Sequence, residues 1–104
     1  MESGRFKLLL IDLEGTLYFK GAPIPGAAEA LRELAAMGFH LRFLTNTDSK
    51  TAATIGAELT TLGLRLAASE IFTPATAALA FFREHPDARC YGLLSPELAT
   101  AFAP

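Results

Sequence analysis

Four apolar residues in a row, Leu8, Leu9, Leu10 and Ile11, end abruptly at the carboxylate of Asp12. A short unbroken apolar run of this kind is the pattern of a strand covered on both faces, as in a parallel sheet. After it, Tyr18 and Phe19 lead into Gly21 and Pro23, which reads as a small flap or hairpin. The period then changes. Across 27–37 the apolar positions Ala28, Leu31 and Ala35 recur at helical spacing, Leu34 widens the stripe, and Glu29, Arg32 and Glu33 lie opposite. Gly38 stands where a left-handed helix cap belongs.

His40-Leu41-Arg42-Phe43-Leu44-Thr45 alternates and stops at Asn46, giving a second strand with polar groups at its end. Asp48 or Ser49 is placed to cap the next helix, whose apolar side is Ala52, Ile55, Leu59 and Leu62, closed by Gly63. Ile71-Phe72-Thr73 makes a very short third strand. Thr73-Pro74 reads as an N-cap with proline in the first turn, opening a helix over 75–83 that carries Ala78, Leu79, Phe81 and Phe82. Residues 89–94 read as a fourth strand with Cys90 in its core side, and Ser95-Pro96-Glu97 opens a last helix. Strands alternating with helices predict an α/β fold with right-handed crossovers and a parallel sheet.

Chemistry collects where the first two strands end. Open α/β sheets bind ligands at the carboxyl edge, and there Asp12 is followed by Glu14, Gly15 and Thr16. Two carboxylates two residues apart in a tight turn can face one pocket, one as nucleophile and the other as proton donor. Composition narrows the field. At 104 residues, with 51% hydrophobic and 19% charged residues, the chain suits one small folded domain rather than a disordered segment. A net charge of −2 offers no basic surface for nucleic acid or an anionic membrane. The single cysteine, Cys90, excludes an intrachain disulfide and suits a reducing cytoplasm. Residues 1–5 are polar, and the apolar run at 8–11 is too brief for a signal peptide or a membrane span.

Asp12-Leu13-Glu14-Gly15-Thr16-Leu17 resembles the first motif of the haloacid dehalogenase (HAD) superfamily, and Phe43-Leu44-Thr45-Asn46-Thr47 resembles its second. Ile24-Pro25-Gly26-Ala27 and Ile71-Phe72-Thr73-Pro74 extend the likeness to the branch of nitrophenyl phosphatases and NagD-type phosphatases. The resemblance implies a Rossmann-like core over 1–73 and the start of an inserted α/β cap over 74–104. It also implies a Mg2+-dependent phosphatase acting on a small phosphorylated metabolite. Asp12 would attack the phosphoryl group, forming an aspartyl-phosphate, and would bind the metal together with the backbone carbonyl of Glu14. Thr45, helped by Asn46 and Thr47, would hold a phosphoryl oxygen. Two departures matter. Glu14 stands where the family has Asp, one methylene further out, and the family's cationic third and acidic fourth motifs have no counterpart here.

The chain therefore reads as the first part of a longer protein, with a non-catalytic interaction module of the same fold as the alternative. A dinucleotide-binding domain is excluded, because no Gly-x-Gly-x-x-Gly turn follows the first strand. In the resembled fold the first strand is central, so its far edge should be bare here, exposing 8–11 to self-association. His40 and His85 lack ligand partners at metal spacing, and Phe81, Phe82 and Tyr91 read as core or interface.

Overall fold

Two helices return the chain to the amino ends of successive parallel strands. The structure, a computed structural model, describes residues 7–103; the polar stretch 1–5 lies outside them. Strand β1 (Leu8–Asp12) pairs in parallel with β4 (His40–Leu44), and β4 pairs in parallel with β5 (Ile71–Phe72), in the order β1-β4-β5. Helix α1 (Ala27–Ala36) connects β1 to β4, and α2 (Ala52–Thr61) connects β4 to β5. Between β1 and α1 stands a separate hairpin, β2 (Tyr18–Phe19) with β3 (Ala22–Pro23). Helices α3 (Pro74–Glu84) and α4 (Pro96–Phe102) complete the described chain. None of the described helices is long and apolar enough to cross a membrane.

Both connecting helices end in the same way. At α1, Gly38 takes a φ of 95°, its N–H bonds the Ala35 carbonyl, and the Phe39 N–H reaches the Leu34 carbonyl. At α2, Gly63 (φ 84°) bonds Thr60, and Leu64 bonds Leu59. Only glycine adopts this left-handed turn without a Cβ penalty. Each turn inserts its next residue, Phe39 or Leu64, into the core. That core joins Leu13, Leu31, Leu41, Phe43, Ile55, Leu59 and Ile71.

Several expectations need correcting. The run at 8–11 is not covered on both faces. Leu9 and Ile11 pack onto the core, while Leu8 and Leu10 are 52% and 61% exposed, and β1 is an edge strand. The cap of α2 is neither Asp48 nor Ser49. Thr51 holds it, in extended backbone, with its hydroxyl accepting the Thr54 N–H. Residues 89–94 form no strand, and Tyr91 is 89% exposed. An apolar stretch becomes a strand only when an edge is offered to it, and no edge of the described sheet reaches it. Cys90 is accordingly exposed rather than core. Phe81 is exposed, Phe82 half-buried, and only Ala75 of α3 is buried. A short 3-10 turn, Ala68–Glu70, precedes β5 with no forewarning in the pattern.

Candidate active site

Burial alternates through the turn after β1, and that alternation aims the carboxylates. Leu13 is fully buried, while Asp12 and Glu14 on either side of it are exposed. The Leu13 N–H bonds the Leu44 carbonyl at 3.1 Å, extending the β1–β4 pairing one residue beyond the strand. The Leu13 carbonyl then accepts from both Thr16 (3.1 Å) and Leu17 (2.8 Å), and buried Leu17 pins the far side. Residues 14–16 are thereby lifted over the sheet edge. Gly15, at φ 86°, donates to the Tyr18 carbonyl at 2.7 Å, a backbone conformation that side chains resist.

The hairpin that follows turns through Lys20 (φ 49°) and Gly21 (φ 77°), two residues with positive φ. This is the two-residue turn whose twist matches antiparallel strands. It places Tyr18 over a cleft of about 220 Å³ shared with Gly21, Thr47, Lys50 and Glu58. Burial raises the pKa of the Tyr18 phenol; Glu14, Glu58 and Asp12 push the same way, and Lys50 opposes them. Tyr18 thus shares the field of both candidate carboxylates, which neither periodicity nor motif had singled out.

Thr45 follows β4 directly, one residue past the Asp12–Leu44 register, and its N–H bonds the Phe72 carbonyl at 3.1 Å. Its hydroxyl donates to the Thr47 hydroxyl at 3.0 Å and accepts the Thr47 N–H at 3.1 Å. Since Thr51 caps α2, Thr45 is not a helix cap; it closes a local turn at the strand end. Asn46 beside it is exposed. Asp12 and Thr45 therefore stand at the carboxyl ends of adjacent parallel strands. Lys50 is not a free cation for the site, because both carboxylate oxygens of Glu58 hold it at 2.9 and 3.0 Å, and that bond raises its pKa. His85 stacks on Phe81 with centroids 4.2 Å apart and takes no part.

Among the described residues no group of three or more His, Cys, Asp or Glu gathers at metal distance. The donor chemistry at the turn nevertheless fits magnesium. The Asp12 carboxylate is exposed, and the Glu14 carbonyl accepts no hydrogen bond among the described residues. Magnesium takes hard oxygen ligands, commonly one or two carboxylates with retained waters and substrate phosphate.

Comparison with known proteins gives the family and the fold. The sequence model of the haloacid dehalogenase-like hydrolases matches residues 9–103. The mouse haloacid dehalogenase-like hydrolase domain-containing protein 2 is 42% identical over 72 residues, 69% of this chain and 28% of that protein. A glycerol phosphate phosphatase from Mycobacterium tuberculosis, solved in complex with magnesium, superposes with a TM-score of 0.79 at 28% identity, over 95% of this chain and 30% of that one. NagD from Escherichia coli K-12 gives a TM-score of 0.70 at 29% identity, over 92% and 40%. The chain thus spans less than half the length of each relative.

Proposed function

The chain belongs to the haloacid dehalogenase-like hydrolases, and from that premise we propose that it carries the nucleophile and phosphate-binding half of a magnesium-dependent phosphatase. The observation that carries the reading is the meeting of Asp12 and Thr45 at the ends of β1 and β4. A carboxylate oxygen of Asp12 attacks phosphorus, and the bond from phosphorus to the substrate's alcohol oxygen breaks. The Glu14 carboxyl gives its proton to that leaving oxygen. Glu14 then takes a proton from water, which attacks phosphorus, frees inorganic phosphate and restores Asp12. The Thr45 hydroxyl and the Asn46 backbone hold the phosphoryl oxygens, since such transfers depend on positioning and charge neutralisation. Asp12 and the Glu14 carbonyl would hold Mg2+, which when bound neutralises phosphoryl charge.

The substrate class is a small phosphorylated metabolite, a reading supported by the glycerol phosphate phosphatase likeness. We assign 1–73 to the core and 74–104 to the start of a cap, and place the protein in the cytoplasm. A second reading is favoured by length. Because the relatives extend well beyond this chain, the chain alone is a catalytically incomplete module that turns over only with further residues supplied. The test is phosphate release from an aryl phosphate with and without magnesium, on the parent and on Glu14→Asp. Restoring the shorter carboxylate should raise turnover by up to about a hundredfold, the scale of a misplacement near 1 Å. An unchanged rate in Glu14→Asp would count against Glu14 as the acid/base, and a lower rate would show that the site is fitted to the longer side chain.

We also propose self-association through the bare edge of β1. An exposed strand with apolar side chains is a template for pairing, and a lysine on it blocks pairing. Leu10→Lys should therefore abolish concentration-dependent association in sedimentation velocity. A parent chain that sediments as a monomer at every concentration rules this out.

A further inference from the structure

The loop at 45–50 carries the phosphate-binding groups assigned above, yet little within it holds its shape. Its first half is closed by the Thr45–Thr47 pair. Its second half is held from outside, by the Lys50–Glu58 pair and by residues 95–97. The Ser95 hydroxyl donates to the Ser49 carbonyl at 2.7 Å, and the Thr51 N–H donates to a Glu97 carboxylate oxygen at 2.6 Å. Both partners come from 46 residues further along the chain. Thr51 is the N-cap of α2, and its N–H is among the helix-start donors that lack intrahelical partners. A carboxylate placed there is favoured by charge-assisted bonding and by the helix dipole.

The segment that supplies these groups is itself anchored. Ser95 caps α4, accepting the Leu98 N–H at 3.3 Å with the same hydroxyl that ties Ser49. Leu98 is buried, and Phe102 meets Phe82 of α3 edge to face, with centroids 6.2 Å apart. An anchored segment that reaches back to this loop is a latch.

We propose that Glu97 is a positioning residue for the phosphate-binding loop, latching 95–102 onto the start of α2 and so fixing the Thr45 and Thr47 hydroxyls; the proposal rests on the phosphatase reading. It makes the segment assigned to the cap sense, and set, the order of the site. Ionisation controls the latch. The Thr51 N–H chiefly, then the Thr54 hydroxyl, lower the pKa of Glu97 against a small opposing effect of burial, and Lys50 is the charged group facing it. Glu58 neutralises Lys50 in turn. With a lowered folded pKa the latch is whole above the ordinary glutamate range and opens as pH falls through that lowered value.

Amide NMR of this chain decides the matter, with inorganic phosphate and magnesium as the binding probe. In Glu97→Ala, exchange at the Thr51 and Thr47 amides should quicken by about tenfold or more, as expected for loss of a bond to a charged group, and phosphate should bind more weakly. Glu97→Gln keeps an acceptor and should restore most of the protection, while the acid shift of the Thr51 resonance disappears. Thr45→Val separates the two claims. It should lose phosphate with Thr51 unchanged. Phosphate binding kept in Thr45→Val but lost in Glu97→Ala supports the latch and refutes the phosphoryl role of Thr45. A Glu97→Ala chain with parental Thr47 exchange and phosphate affinity overturns the latch.

Discussion

Asp12→Asn should lower the proposed magnesium-dependent release of phosphate from an aryl phosphate by at least about a thousandfold, because an amide cannot form the covalent intermediate that a carboxylate forms. The substitution is close to isosteric, and Asp12 is exposed at the strand end while Leu13 and Leu17 hold the turn. The fold is therefore expected to be indifferent to it. The measurement pairs the phosphate assay with circular dichroism. A folded variant with unchanged turnover would remove Asp12 from the mechanism, and with it the aspartyl-phosphate. A folded variant that still binds inorganic phosphate but does not turn over would separate binding, through Thr45, from attack.

Phe43→Ala has the largest expected effect on stability. Phe43 is 1% exposed near the end of β4, the central strand, with Ile11 on one side of it and Ile71 on the other. Removing a buried phenyl ring costs about 3–5 kcal/mol, through lost transfer energy and the cavity left behind. A small domain is stable by only about 5–15 kcal/mol, so the variant should lie near the edge of folding. Urea denaturation followed by circular dichroism gives the number. A loss below about 1 kcal/mol would mean that the sheet is not the centre of the folding unit, contrary to the shared core.

These two residues also differ in how they can be found. Phe43 is legible from alternation alone, since Leu41 and Phe43 fall on one face and His40, Arg42 and Leu44 on the other. Both helices between parallel strands are legible from their stripes and their closing glycines, because a left-handed turn leaves few residues to choose from. Asp12, Glu14 and Thr45 are legible as strand-end chemistry, because an apolar run that stops at a polar group marks the edge where ligands bind. The expected strand at 89–94 failed for a different reason. A strand needs a neighbour, and whether one is in reach is not written in the stretch itself.

The sequence by itself determined the strands and helices between residues 8 and 84 apart from the 3-10 turn at Ala68–Glu70, the parallel α/β class, and the residues delivered to the sheet edge, because period and turn glycines act over a few residues. Only the tertiary structure decided the rest. It left one face of β1 bare, gave the cap of α2 to Thr51 instead of Asp48 or Ser49, and tied up Lys50 with Glu58. It also brought Glu97 to a helix start 46 residues back. Those outcomes depend on which distant groups meet, and a single carboxylate or hydroxyl leaves no periodic trace of its partner.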